Sequence, residues 1–261
     1  RWRFWIDRGG TFTDIVARHP DGRLLTRKLL SENPERYVDA ALQGVNELLQ
    51  CHADAADCGI EVINMGTTVG TNALLERKGE PTLLAITRGF ADALRIGNQN
   101  RPDIFALHIE RPEPLYESVI EVGGRLDARG AEIEPLDLVQ AERDLTTAFH
   151  QGYRAVAVVL MHAWRNSAHE LALKALARRI GFTQVSLSHR CSSAMRLVGR
   201  GDTAVVDAYL SPVLRHYVEQ FAGALGEISR PLPDLRFMQS SGGLVMAKQF
   251  QGKDSILSGP A

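Results

Sequence analysis

Apolar and polar residues alternate through residues 3–7, 11–18 and 23–30, and a period of two over such short runs predicts three half-buried strands. Asp21-Gly22 joins the second to the third as a hairpin turn, and Gly9-Gly10 separates the first from the second. From Tyr37 the apolar spacing lengthens: Tyr37, Ala41, Val45 and Leu48 form the stripe of an amphipathic helix. Residues 31–34 read as its start, with Pro34 near the first turn. Residues 61–65 predict a strand leading into Gly66-Thr67-Thr68 and then a helix through Asn72, Leu74 and Leu75 to Gly79. Residues 82–87 predict another strand.

The spacing becomes irregular over residues 97–135, where Pro102, Pro112 and Pro114 interrupt it. Residues 119–126, around Gly123-Gly124, predict one isolated strand there. A stretch of this length suits a binding loop or an inserted subdomain, and also a simple cover over core surface. Order returns with a helix over 138–151, a strand over 155–161, a helix over 169–180 and a strand over 183–187. The unbroken apolar run Ala155-Val-Ala-Val-Val-Leu-Met161 predicts a central parallel strand covered on both faces. Val205, Tyr209, Val213, Tyr217, Phe221 and Leu225 recur every fourth residue, a core-packing stripe. Ser211-Pro212 reads as an N-cap and first-turn proline that splits or kinks this helix. A last strand over 235–239 ends in Ser240-Ser241-Gly242-Gly243. Antiparallel strands followed by alternating helix and strand predict an α/β fold of ribonuclease-H-like type. Its expected divisions are 1–96, an inserted irregular segment 97–135, and 136–261.

Composition adds exclusions. Of the 261 residues 44% are hydrophobic and 23% charged, the balance of an ordinary globular protein. A net charge of −1 gives no bulk pull toward nucleic acid or a membrane surface. No apolar run approaches the ~20 residues that span a bilayer. Cys51, Cys58 and Cys191 are few and odd in number, without metal-ligand spacing, which suits a reducing cytoplasm. A soluble cytoplasmic protein with no nucleic-acid or membrane partner is expected. The chain opens at Arg1 almost directly on a strand and stops in Ser258-Gly259-Pro260-Ala261, within a turn, so it reads as part of a longer protein.

Three strand-ending turns carry small or hydroxyl residues: 7–14, 66–72 and 240–243. Where strands run parallel, such turns meet at one edge, the usual place for ligands. At the first turn, glycines let backbone N–H groups approach a phosphate chain. Asp7, at the strand end, is placed to hold Mg²⁺ through water. An ordinary Gly-Gly hairpin needs the same residues, and the spacing leaves both readings open. At the second, Gly66-Thr67-Thr68 opens a helix whose first N–H groups favour an anion, with Thr71 and Asn72 one turn on. Plain N-capping also explains Thr67 and Thr68. His162 beside Trp164 reads as a structural histidine, and Cys191 with Ser192 and Ser193 lacks a histidine partner. Neither a P-loop nor a Gly-x-Ser-x-Gly elbow occurs.

Asp7-Arg8-Gly9-Gly10-Thr11-Phe12-Thr13-Asp14 resembles the phosphate hairpin of the sugar-kinase, heat-shock-chaperone and actin superfamily. More narrowly, further segments resemble the ATP-dependent 5-oxoprolinases of the hydantoinase A family. They are Lys28-Leu-Leu-Ser-Glu-Asn-Pro34, Met65-Gly-Thr-Thr-Val-Gly-Thr-Asn-Ala-Leu-Leu-Glu-Arg-Lys-Gly79, Thr87-Arg-Gly-Phe90, Ile96-Gly-Asn-Gln-Asn-Arg-Pro102, Asp207-Ala-Tyr-Leu-Ser-Pro212 and Ile256-Leu-Ser-Gly-Pro-Ala261. The resemblance implies the first ATPase lobe of an enzyme that hydrolyses ATP to open 5-oxo-L-proline to L-glutamate by phosphorylating the amide oxygen. It implies ATP and Mg²⁺ as cofactors, with K⁺ left open. It also implies a homo-oligomeric full-length protein that supplies a second lobe and a companion domain or subunit. On this mapping Asp7, Thr67, Thr68 and Asn72 are catalytic, with Asp7 at the metal. Arg8, Gly9, Gly10, Thr11, Thr13 and Gly66 hold the nucleotide, and Arg88, Ser241 and Gly242 face the substrate. Hydantoin hydrolases and ketone carboxylases of the family share the hairpin, and an ATP-gated binding module shares the fold. No second Asp-x-Gly-Gly-Thr hairpin occurs in the chain, so the mapping gives it half of an active site.

Overall fold

A computed structural model describes residues 1–52, 58–99, 105, 107–108 and 112–256. Of the segments quoted above, residues 100–102 and 257–261 lie outside the described residues. In chain order the elements are β1 (Trp2–Arg8), β2 (Phe12–Arg18), β3 (Leu24–Leu30), α1 (Ala40–Cys51), β4 (Ile60–Thr67), α2 (Val69–Leu75), β5 (Thr82–Thr87) and α3 (Ala93–Ile96). They continue with β6 (Tyr116–Val122), β7 (Arg125–Leu126), β8 (Glu132–Glu134), α4 (Leu138–His150), β9 (Ala155–Val159), α5 (Ala168–Ile180) and β10 (Gln184–Leu187). The last are α6 (Ser188–Cys191), α7 (Leu197–Ile228), β11 (Asp234–Met238) and β12 (Leu244–Met246). The chain forms two compact units, one from residues 1–78 and 213–261 and the other from 79–212, whereas the residue pattern suggests divisions after 96 and 135.

The first unit is built on a six-stranded sheet in the order β12-β11-β4-β1-β2-β3. β1, β2 and β3 are antiparallel neighbours, while β1, β4 and β11 run parallel. Alternation sorts the side chains of β1 and β2 as predicted. Phe4, Ile6, Ile15 and Ala17 are buried, and Trp5, Asp7, Asp14 and Val16 are exposed. The buried set packs on Ala41, Val45 and Leu48 of α1 and on Phe221 and Leu225 of α7. Each fully buried large apolar side chain contributes roughly 1.5–3 kcal/mol.

Two boundaries in this unit differ from the sequence pattern. α1 begins at Ala40 because Asp39 is its cap, with Oδ1 accepting from the Ala41 and Leu42 N–H groups at 2.9 and 3.0 Å. Upstream, Asn33 O accepts from Arg36 and Tyr37 N–H, and the Tyr37 hydroxyl donates to Leu30 O at 2.7 Å. That turn, clamped to the end of β3, takes the residues expected to start the helix. α2 stops at Leu75 rather than running to Gly79. Arg77 adopts φ 57° and the Lys78 N–H donates to Ala73 O, a left-handed helix closure made without glycine.

The second unit holds a four-stranded, fully parallel sheet in the order β10-β9-β5-β6. β9 lies between β10 and β5 and is buried along its length, the environment its apolar run predicts. Ala141 and Leu145 of α4 with Leu173 and Leu176 of α5 cover one face; Ala204, Val205 and Ala208 of α7 cover the other. β6 corrects the expected isolated strand: it pairs with β5 along the sheet edge, and β7 and β8 pair with each other, so much of 97–135 is regular. A parallel partner is reached through a long crossover, so no local turn signal in the sequence marks the pairing.

α7 runs unbroken through Pro212. Ser211 is not an N-cap; its hydroxyl donates to Asp207 Oδ1, one turn back, at 3.0 Å. A mid-helix proline costs about 3 kcal/mol, and the helix offsets it by burying Ala204, Ala208, Leu210, Leu214, Phe221 and Leu225. Among the described residues no helix is long and apolar enough to cross a membrane.

A charged network fills the interior of the second unit. Glu170 and Arg200 are both fully buried. Glu170 accepts from the Leu160 N–H (3.0 Å), the Ser188 hydroxyl (2.5 Å), the His189 N–H (3.2 Å) and His189 Nδ1 (2.6 Å). Arg200 donates to Ser188 Oγ at 3.0 Å and to the carbonyls of Leu160, Met195 and Ala194 at 2.7, 3.0 and 3.3 Å. Burial lowers the pKa of Arg200 while Glu170 acts against that shift. His189 is thus turned to Glu170, and the Cys191 thiol lies 3.7 Å from Asp207 Oδ2. His162 takes φ 59°, and its carbonyl accepts from the Arg165 and Asn166 N–H groups.

Candidate active site

Parallel β1, β4 and β11 end at one edge of the first unit's sheet, so the turns that follow them share that edge. Asp7 stands opposite Gly66 on one side and Asp14 on the other, and Asp14 stands opposite Lys28. Lys28 Nζ lies 3.0 Å from both carboxylate oxygens of Asp14. Asp7 therefore faces a second carboxylate directly across the ladder, an unfavourable pairing. Partial burial raises its pKa, and the charge of Asp14 raises it further.

The turn after β1 is closed by the Gly9 N–H donating to Phe12 O at 3.0 Å. A Cβ on Gly9 would sit 2.9 Å from that oxygen, so glycine is required. Ser31 reaches in from the end of β3: its N–H donates to Thr11 O at 2.8 Å and its hydroxyl to Gly9 O at 2.7 Å. Thr13 Oγ1 in turn donates to Ser31 Oγ at 2.9 Å. Nothing lies within 4 Å of the Cβ position of Gly10. Among the described residues, no acceptor meets the N–H groups of Gly10 and Thr11.

Several of the expected site residues are engaged within the fold. Thr13 and Thr67 are fully buried, and their hydroxyls bond within the turns. Thr67 Oγ1 accepts from the Val69 N–H at 3.3 Å and bonds the Tyr217 hydroxyl. Arg8 points to the inner face, with Nε 3.6 Å from Asp39 Oδ2 and its guanidinium 5.2 Å from the centre of the Tyr217 ring. Burial, with Asp39 nearby, pushes the Tyr217 hydroxyl's pKa up. Thr68 gives both its N–H and its hydroxyl to Arg8 O, at 3.1 and 3.2 Å. Seven residues make α2 too short for a strong helix dipole, which builds with length. Asn72 follows on α2, half-buried, with its N–H on Thr68 O. Gly70 packs against Ser255, whose hydroxyl a Cβ would meet at 2.3 Å, and the Thr71 hydroxyl bonds Ile256 O.

At the third turn, Ser240 gives its N–H and hydroxyl to Asp254 O at 2.7 and 2.9 Å. Gly242 adopts φ 81°, and Ser241 and Gly242 are exposed. Arg88 belongs to the second unit. Its guanidinium lies against Gly123, where a Cβ would come within 2.6 Å of Nη2, and 3.8 Å from Glu134 Oε1.

The sequence pattern misses Ser31, Asp39 and Tyr217. Ser31 and Asp39 act through contacts with residues distant in sequence, and Tyr217 sits in the stripe read as core. Asp39→Ala removes the α1 cap and the carboxylate nearest Arg8. A loss of about 1–2 kcal/mol is expected, read as a lower urea midpoint.

Among the described residues, no group of three or more His, Cys, Asp or Glu is arranged to hold a metal ion. The edge does fit a hydrated Mg²⁺ on a phosphate chain. That ion takes one or two carboxylates and keeps several waters, and Asp7 offers a part-desolvated carboxylate at this edge, facing Asp14. Gly9 and Gly10 leave the approach to the turn clear of side chains.

The pattern of the hydantoinase/oxoprolinase N-terminal region matches residues 3–181, and that of hydantoinase/oxoprolinase matches residues 200–261. The chain belongs to the hydantoinase/oxoprolinase family. Within the family it is similar to 5-oxoprolinase 1 of Arabidopsis thaliana, 42% identical over 293 residues. That match covers 99% of this chain and 23% of the relative. The crystal structure of the ATP-dependent caprolactamase from Pseudomonas jessenii superposes with a TM-score of 0.82 at 28% identity, covering 99% of this chain and 38% of that one. A nucleotide-free acetone carboxylase structure gives 0.83 at 21% identity, covering 99% and 39%, and shows the fold alone. The α/β fold is therefore the ATPase-lobe fold of the hydantoinase/oxoprolinase family, and the chain spans about a quarter of the length of its curated oxoprolinase relative.

Proposed function

We propose that the full-length protein to which this chain contributes hydrolyses ATP to drive the opening of a small lactam, 5-oxo-L-proline, to L-glutamate. The observation that carries this reading is the strand edge: the open N–H groups of Gly10 and Thr11 beside Asp7, whose carboxylate faces Asp14. Similarity to an oxoprolinase over nearly the whole chain supports the substrate.

A five-membered lactam is a poor electrophile with a poor leaving group. Transfer of the terminal phosphoryl group of ATP to its carbonyl oxygen, with release of ADP, activates the carbon. One water opens the ring as the nitrogen leaves with a proton, and a second water hydrolyses the resulting acyl phosphate to the carboxylate and inorganic phosphate. Such transfer depends on positioning and charge neutralisation more than on covalent chemistry from the protein. Gly10 and Thr11 would hold terminal phosphate oxygens through their N–H groups. Asp7 would hold Mg²⁺ through water, and that ion supplies neutralisation of phosphate charge when bound. Asn72, one turn into α2, would face the transferred phosphate or the lactam. Ser241 and Gly242 remain the substrate candidates of the first unit; Arg88, in the second, is a separate candidate. Similarity to a caprolactamase favours a second reading, a larger lactam.

The test is ADP release by the full-length protein with 5-oxo-L-proline, caprolactam, hydantoin or acetone. Release driven by 5-oxo-L-proline, with glutamate in matching amount, is expected. Release with another compound replaces the substrate, and no stimulated release overturns the reading.

A further inference from the structure

We infer that Ser31 is the residue that positions the phosphate-facing turn, an inference that rests on the functional reading above. The turn carries two glycines and is anchored to its own strands by a single closing bond, Gly9 N–H to Phe12 O. A turn so built has more backbone freedom than one made of other residues. Ser31 restricts it from outside. It lies one residue beyond β3 yet is almost fully buried, and it reaches across to the β1–β2 tip with three hydrogen bonds. Its N–H holds the carbonyl of Thr11, its hydroxyl holds the carbonyl of Gly9, and Thr13 orients that hydroxyl by donating to it. The Gly9 carbonyl shares a planar peptide with the Gly10 N–H, so holding that carbonyl toward Ser31 turns the Gly10 N–H the opposite way. Neither it nor the neighbouring Thr11 N–H meets an acceptor among the described residues. Ser31 itself would touch no phosphate; it acts through the peptide planes it fixes. Preorganised donors cost nothing to orient when charge arrives, so the effect belongs in nucleotide affinity and not in lactam affinity.

The experiment uses the full-length protein as wild type, Ser31→Ala, Ser31→Thr, Thr13→Val and the Ser31→Ala/Thr13→Val double variant. Three readouts are needed: Kd for Mg·ADP by titration calorimetry, separate KM values for ATP and 5-oxo-L-proline, and Tm. Ser31→Ala is expected to raise both the nucleotide Kd and the KM for ATP by about tenfold, the scale of one lost buried hydrogen bond. The KM for the lactam stays unchanged. Ser31→Thr, which keeps the hydroxyl, returns the nucleotide values toward wild type. Thr13→Val moves them in the same direction as Ser31→Ala, and the double variant is no worse than Ser31→Ala because both act through one bridge. A folded Ser31→Ala protein with unchanged nucleotide Kd, or with both KM values raised alike, overturns the proposal. Should Ser31→Ala not fold, an unchanged Kd in Thr13→Val overturns it. A wild type that binds no nucleotide overturns the functional reading and this inference together, whereas normal wild-type binding with an insensitive Ser31 overturns the inference alone.

Discussion

Asp7→Asn in the full-length protein is expected to lower substrate-driven ATP turnover by about 10²–10³-fold, the scale of losing one preorganised electrostatic group. At neutral pH it is also expected to raise the stability of the fold. The two effects have one cause. Asp7 is partly desolvated and faces Asp14, so its pKa is raised from the ordinary 3.8. The folded state then binds a proton more tightly than the unfolded state does. Stability falls as pH rises through the window from 3.8 up to the folded-state value, and the whole deficit persists above it. Asn carries no charge and removes the deficit, so the variant melts higher than wild type at pH 7. Below the ordinary carboxylate range both side chains are neutral and the melting temperatures converge. A purely structural aspartate would show the reverse, a variant less stable at pH 7 with turnover intact. Melting curves at neutral and acid pH, with ADP release at neutral pH, separate the two.

Glu170→Ala is expected to destabilise the chain by about 3–5 kcal/mol, the cost of leaving a buried charge without its counter-charge. The carboxylate accepts four hydrogen bonds, and its loss leaves the buried Leu160 N–H without its acceptor and the fully buried Arg200, linked to it through the Ser188 hydroxyl, without a counter-charge. Replacing both charges, as Glu170→Ala with Arg200→Met, recovers part of the loss, because no uncompensated charge remains in the interior. Urea midpoints of the two variants check this. A single variant as stable as wild type contradicts the assigned network.

The strand edge was legible in the sequence because its signals are local. Alternation in β1 and β2, Asp21-Gly22 and the glycines of the first turn each act within a few residues. The direction of individual side chains was legible too, though only through parity. Thr13 shares the parity of buried Ile15 and Ala17, and Arg8 that of buried Phe4 and Ile6, so both face inward; Asp7 shares the parity of exposed Trp5. A reading by motif alone assigns all of them to the ligand. What the sequence withheld lies in long-range contacts. Asp39 takes the cap in place of residues 31–34 because residues 33–37 are held in a turn bound to the end of β3. β6 finds a parallel partner more than thirty residues back, and α7 keeps Pro212 because its flanks are buried.

The first unit takes its strands from both ends of the chain, and this constrains how it is made. β4 acquires its outer neighbour, β11, only after the whole of residues 79–212 has been synthesised. Until then a largely apolar strand presents an open edge, the kind of surface that pairs with other chains. The continuous 79–212 unit has all its strands available earlier and is free to fold while the first waits. Ribosome-bound chains halted just before residue 234 should therefore be the aggregation-prone species, and chains extended past β12 should escape that fate.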